Sequence, residues 1–267
     1  MALLSRQTLR FPALLLVLIG VVLAAGGCSH TRRKEMQGDP EVLYQRGYKA
    51  LEDNDFGNAI KIYEALDARF PFSDAARQGR LDLMYAYYKD HQAESAIDAA
   101  DQFIRENPAH PRCDYANYIK GLVYFERTPN FLERWLQVDL SERPPSDARK
   151  SFVAFQTVVT NYPQSEYAHD ARLRLLYLRN RLADYEMHVA NYYMHRGAYL
   201  AAVARAKYTI ENYDGAPAVK NALEVMTDAY RKLGLDDLAE QSASVYRENF
   251  PESAERVDKK KKWWSIW

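Results

Sequence analysis

The stretch FGNAIKIYEALDARFPFS (residues 56–73) reads as an amphipathic helix that stops at a proline, and the chain repeats it. AESAIDAADQFIRENPAH begins at Ala93, FVAFQTVVTNYPQS at Phe152 and LAEQSASVYRENFPES at Leu238. Each copy closes on a proline, at Pro71, Pro108, Pro163 and Pro251, and in three of the four an aromatic residue stands just before it. Twelve residues upstream of each proline is a small side chain: Ala59, Ala96, Ser151 and Ala239. A fifth copy, AAVARAKYTIENYDG, keeps the spacing with Ala202 but ends on Asp214 instead of proline. Internal similarity at a near-constant period is the signature of a repeat architecture, in which each unit buries its apolar face only against its neighbours.

The spacing is that of the tetratricopeptide repeat, with a small residue at position 20, a larger one at 24 and proline at 32. The small residue lets two helices cross closely, and the proline cannot continue a helix. A partner helix with apolar residues at helical spacing precedes each copy, as in LDLMYAYYKD and ALEVMTDAYRKLG. The markers are 37, 55, 51 and 37 residues apart. Two features absorb the excess over about 34. One is an insertion, ERTPNFLERWLQVDLSERPPSD, at residues 126–147. The other is a long first helix in repeat four, from about Glu166 to Arg196, roughly 46 Å if continuous. The expected fold is all-α: a superhelical array of five repeats and ten helices over residues 40–253, divided near 40–74, 75–111, 112–165, 166–216 and 217–253.

The amino terminus says where such an array sits. An apolar run of 15 residues, FPALLLVLIGVVLAA, spans Phe11–Ala25 and leads into LAAGGCSH. It is shorter than the roughly 20 residues a transmembrane helix needs and suits a signal peptide. Small residues followed by Cys28 resemble a bacterial lipobox, although Ala25 stands where leucine is commoner. Residues 1–27 are therefore expected to be a signal peptide, and Cys28 to be the lipidated mature terminus, carrying S-diacylglycerol and N-acyl groups. Residues 28–39 form a polar tether. Several acyl chains give stable attachment where one would not. Ser29 in place of Asp favours the outer membrane by resemblance to lipoprotein sorting.

Without residues 1–27 the chain has 36 − 2 = 34 basic and 36 acidic residues, a net charge of −2 that does not suit a nucleic-acid partner. Cys113 is then the only thiol, expected to be a small buried side chain near a helix start. The six histidines are scattered; His188 and His195 are seven apart, not the four of a helical metal pair. There is no phosphate loop, nucleophile elbow or paired cysteine set, so neither an enzyme nor a resident cofactor is expected.

Repeat arrays of this kind bind ligands on the face lined by first helices. Positions 5 and 9 fall on Tyr44 and Tyr48 in repeat one, and on Leu81 and Tyr85 in repeat two, with Tyr88 one turn on. With Gly121 at position 8, repeat three contributes Tyr115 and Tyr118. These tyrosines either line a binding groove or pack between helices. Tyrosine offers large contact area at low entropic cost, with a hydroxyl for anchoring.

Five segments carry a family resemblance: RFPFS (69–73), LDLMYAYYK (81–89), NPAHP (107–111), YIKGL (118–122) and RLADYEMHVANYYMHRGAY (181–199). With the lipobox and the five repeats, the chain resembles the BamD family, lipoprotein subunits of the outer-membrane β-barrel assembly machinery. The resemblance implies a non-enzymatic scaffold, anchored by lipid in the outer membrane and facing the periplasm. Its carboxy-terminal repeats would bind the membrane-proximal POTRA domain of the barrel-forming subunit, with Tyr193, Arg196 and Arg205 as contacts. Its amino-terminal groove would receive unfolded outer-membrane protein clients. Other assembly lipoproteins are expected partners. A pilotin-like lipoprotein that escorts secretin subunits is the rival reading; an envelope hydrolase would need a catalytic cluster that is not visible. The tail at 254–267 ends KKKKWWSIW and reads as an interfacial anchor, a mimic of a client's terminal strand, or a segment without a role.

Overall fold

The computed structural model describes residues 38–126 and 145–251. The signal peptide, Cys28, most of the tether, most of the insertion and the tail lie outside the described residues. Those described form ten helices and no strand, in the order α1 (Pro40–Glu52), α2 (Phe56–Arg69), α3 (Asp74–Lys89), α4 (Ala93–Glu106), α5 (Cys113–Glu126), α6 (Ser146–Asn161), α7 (Ala168–His195), α8 (Tyr199–Asn212), α9 (Ala218–Lys232) and α10 (Asp236–Asn249). The fold is all-α and built of tetratricopeptide-type hairpins. Helices fall into two compact units, Met1–Pro108 with α1–α4 and Ala109–Trp267 with α5–α10. Within each unit every helix packs on the next in sequence, and α1 also meets α3 while α7 also meets α9.

The repeat arithmetic maps directly onto burial. Ala59, Ala96, Ser151, Ala202 and Ala239, the small residues of the five copies, are all essentially inaccessible. Four residues on, Tyr63 and Phe155 are fully buried rings, while Ala100, Ala206 and Ala243 fill the same position in the other repeats. Where the ring is large, the first helix supplies a glycine: Gly47 lies against Tyr63 and Gly121 against Phe155. Where position 24 is alanine, the first helix carries the larger Met84 or Thr227, also buried, or Ala190. Side-chain volume is thus balanced in four of the hairpins, as a close-packed interior requires, while the fourth sets Ala190 with Ala206.

Two backbone devices recur with the repeat. Five residues before four of the five small residues the chain turns through the left-handed region, at Asn54, His91, Gly197 and Gly234, with φ between 58° and 73°. This reverses the chain between the two helices of a hairpin. At the far end, Phe70, Asn107, Tyr162, Tyr213 and Phe250 cap the second helices with φ between −134° and −129° and ψ between 44° and 58°. The N–H of each donates to the carbonyl four residues earlier, at 2.9–3.0 Å. Proline excludes the α region for the residue before it. Tyr213, which precedes Asp214, adopts the same geometry, so the turn does not depend on proline alone. Ser73 and Asp55 add side-chain caps, accepting from the N–H of Ala76 at 3.0 Å and of Asn58 at 3.2 Å.

Helix α7 has 28 residues, about 42 Å at 1.5 Å per residue. It begins two residues after the expected Glu166, because a turn closed by Ser165 N–H to Tyr162 O and Ala168 N–H to Ser165 O takes up residues 163–167. It ends at His195, where Gly197 turns the chain at φ 71°. Cys113 is buried at the first residue of α5, where burial pushes its thiol pKa up.

Candidate functional site

In the first unit, the sequence-expected tyrosines form two aromatic groups against α3. Tyr44 stacks on Tyr48 with ring centroids 6.4 Å apart and tilts against buried Tyr63 at 6.1 Å. Tyr63 Oη donates to Asp82 Oδ2 at 3.4 Å, tying α2 to α3. Burial, and then the charge of Asp82, push the Tyr44 phenol up to about 12. The second group is Phe56, edge-on to Tyr85 at 6.3 Å, with Tyr88 at 6.4 Å from Tyr85 and Lys89 Nζ 5.8 Å from the Phe56 ring. Tyr48 and Tyr85 are exposed at 45% and 37%, whereas Tyr44 and Tyr88 are half-buried. Leu81, expected on the binding face with Tyr85, is buried instead. Helix α3 has α1, α2 and α4 around it, so less of its circumference is free than on α1. The first unit therefore offers exposed phenol rings anchored from below by packed ones.

In the second unit, Tyr115 and Tyr118 are half-buried in a ring stack reaching from α5 to the start of α7. Tyr167 lies between them, 4.7 Å from Tyr118 and 5.5 Å from Tyr115. Arg112 covers the stack, its guanidinium carbon 4.9 Å from the Tyr115 centroid and 5.7 Å from that of Tyr167. It donates to Glu166 and to the Tyr167 hydroxyl, each at 3.2 Å. Below, Tyr118 Oη and Arg174 Nε donate to the same oxygen of Asp170 at 2.7 and 2.6 Å. Burial and then this bond push the Tyr118 phenol up to about 12. Burial alone would raise the Asp170 carboxyl, but hydrogen bonds from Arg174 and Tyr118 outweigh it and hold the group below its usual range. These two tyrosines pack between helices and remain half-buried.

The third group lies around the end of α7. Tyr193 is half-buried, edge-on to exposed Tyr192 at 5.8 Å. Arg196 is exposed at the C-cap of α7, its N–H donating to Tyr192 O at 3.1 Å. Arg205 donates from Nη1 to Glu186 Oε2 at 3.0 Å. The other Glu186 oxygen accepts from Arg149 Nη2 at 2.5 Å. The hydrogen bond to Glu186 is the main cause of a raised Arg205 pKa, with Tyr193 and Tyr185 among the neighbouring groups. The family resemblance pointed to Arg205 and not to its two companions, 19 and 56 residues away along the chain, which come together only through the packing of α6, α7 and α8.

Among the described residues no cluster of His, Cys, Asp and Glu could hold a metal ion, and no helix is long and apolar enough to cross a membrane.

Comparison with known proteins reaches the same family as the motifs. A family model described as "YfiO: Outer membrane lipoprotein" matches residues 36–245. The chain is similar to the outer membrane protein assembly factor BamD of Neisseria gonorrhoeae, 39% identical over 263 residues that cover 95% of this chain and 98% of that protein. The BamD of Vibrio cholerae is 34% identical, covering 84% of this chain and 92% of that protein. Among solved structures, a putative kinesin light chain with nearly identical TPR-like repeats aligns at 14% identity and a TM-score of 0.36, covering 80% of this chain and 98% of that one. On the family match and the BamD relatives, the chain belongs to the YfiO (BamD) family of outer membrane lipoproteins.

Proposed function

We propose that the protein is a non-catalytic scaffold for outer-membrane protein assembly, held to the outer membrane from the periplasmic side by a lipid on Cys28. The observation that carries this reading is the family match over 36–245 together with relatives named outer membrane protein assembly factor. The second unit would bind the barrel-forming assembly subunit through its membrane-proximal POTRA domain, with Tyr193, Arg196 and Arg205 as contacts. The first unit would hold unfolded outer-membrane protein clients on the rings around Tyr44, Tyr48, Tyr85 and Tyr88. An extended client strand that ends on an aromatic residue matches exposed phenol rings, which stack on it while their hydroxyls bond its backbone. Half-buried Tyr115 and Tyr118 would extend the client surface within the second unit. Other assembly lipoproteins would join the same complex.

Affinity purification from detergent-solubilised membranes tests this. Recovery of a POTRA-containing barrel protein supports the reading, and recovery of a secretin instead overturns it. Labelling with radioactive palmitate should require Cys28; undiminished label on a Cys28→Ala chain rules out that anchor. For clients, a peptide ending in an aromatic strand should bind less well to a Tyr48→Ala, Tyr85→Ala chain than to the parent.

A further inference from the structure

Arg205 shares its carboxylate with a second arginine that no motif singled out. Glu186, in the middle of α7, is fully buried, yet Arg149 from α6 and Arg205 from α8 each remain more than two-fifths exposed. A buried carboxylate needs compensation, and one guanidinium would balance its charge. Two leave the group with a net charge of +1. They also bring like charges close together, since both bond to oxygens of a single carboxylate.

We propose that Arg149 and Arg205 form one fork that receives a carboxylate from an acidic segment of a folded protein partner, and that buried Glu186 is the residue that positions it. The inference rests on the assignment of the Arg205 region to partner binding. Each arginine has five N–H donors. The inner donors are held by Glu186, and the exposure of both side chains leaves outward donors for a guest. Anchoring removes rotamer freedom that a free arginine would lose on binding, so less is lost when the partner arrives. The three residues stand on three packed helices, so the spacing of the fork does not depend on a loop. Phenols lie within electrostatic reach of it: Tyr193 and Tyr185 act on Arg205, and Arg149 acts on buried Tyr213, with Tyr208 edge-on to Tyr213 at 5.9 Å. Arginine set among tyrosines is the composition of an interface centre, and the excess positive charge selects an acidic guest.

Glu186→Gln separates positioning from simple charge. It makes the site more positive, so attraction alone would tighten binding to an acidic partner. Loss of the anchor would weaken it. The full-length protein is titrated with the periplasmic POTRA domains of the barrel-forming subunit, at several salt concentrations. Expected results are an affinity about tenfold lower for Arg149→Ala, with a shallower salt dependence, partial recovery with Arg149→Lys, and weaker binding for Glu186→Gln. Helicity and unfolding midpoints are recorded for each variant, and Arg149→Lys keeps a cation if the alanine variant folds poorly. If Arg205→Ala weakens binding while Arg149→Ala and Arg149→Lys bind as the parent does, the fork is wrong and the partner assignment stands. Tighter binding by Glu186→Gln also overturns the fork. If Arg205→Ala and Tyr193→Ala both bind normally, the partner assignment itself falls.

Discussion

Gly47 lies so close to the ring of Tyr63 that a Cβ at residue 47 would stand 2.6 Å from Cε1 of that ring. Gly121 and Phe155 repeat the relationship at 2.5 Å. Both rings are fully buried and have little room to retreat. Alanine at either glycine gains helix propensity worth up to about 1 kcal/mol, but forcing a methyl into a filled core costs about 1–3 kcal/mol. Gly47→Ala and Gly121→Ala should therefore lower stability in urea unfolding. Gly57→Ala, where nothing lies within 4 Å, should not. Equal behaviour of all three would mean that the rings repack freely.

His91 occupies a position where two other repeats use glycine. Its φ of 58° matches Gly197 and Gly234 in all but side chain. A non-glycine residue in the left-handed region is disfavoured by roughly 1–2 kcal/mol, partly offset because glycine loses more freedom on folding. His91→Gly should stabilise by about 0.5–1 kcal/mol, and Gly197→Ala should destabilise by about 1 kcal/mol. Thermal midpoints of the two variants should move in opposite directions. His91 is exposed and belongs to none of the three aromatic groups, so client binding should not change.

The hairpins were legible because their rules are short-range. A small residue twelve before a proline, or before Asp214 in the fourth repeat, is a contact between neighbouring helices, and all five such residues are buried. The fork of Arg149, Glu186 and Arg205 was not legible in the same way. Its pairings span 37 and 19 residues and join three helices, α6, α7 and α8. Arg112 over Tyr167 is likewise a contact across 55 residues. Leu81 shows the converse error: position within a repeat marks a face, but the number of neighbouring helices decides whether that face is open.

Tyr44 and Tyr118 give each unit its own alkaline probe. Both phenols sit near 12, raised by burial and by an adjacent carboxylate, against an ordinary value near 10. Between those values the unfolded chain releases the proton and the folded chain keeps it. Their contribution to stability is therefore complete below pH 10 and falls as pH rises toward 12. Phenolate absorbance in the native protein should show a late-titrating fraction that loses one group in Tyr118→Phe. That variant should also soften the alkaline decline in stability. A single titration near 10 for every tyrosine would contradict the buried geometry.

The burial of Glu186 sets an order of stabilities that a surface ion pair would not. In Glu186→Gln, the two arginines lose an anchor but already reach water, so the cost should be about 1–3 kcal/mol. In the Arg149→Ala, Arg205→Ala double variant, a carboxylate stays buried without its cations, and breaking a pair in that direction costs about 3–5 kcal/mol. The double variant should therefore be the less stable, although it keeps the residue at the centre. Adding Glu186→Gln to it should recover part of the loss, because the unpaired charge is gone. Denaturant midpoints of the four proteins at neutral pH decide this. A double variant as stable as Glu186→Gln would mean that water reaches the carboxylate, and Glu186 could not then hold the two guanidiniums in place.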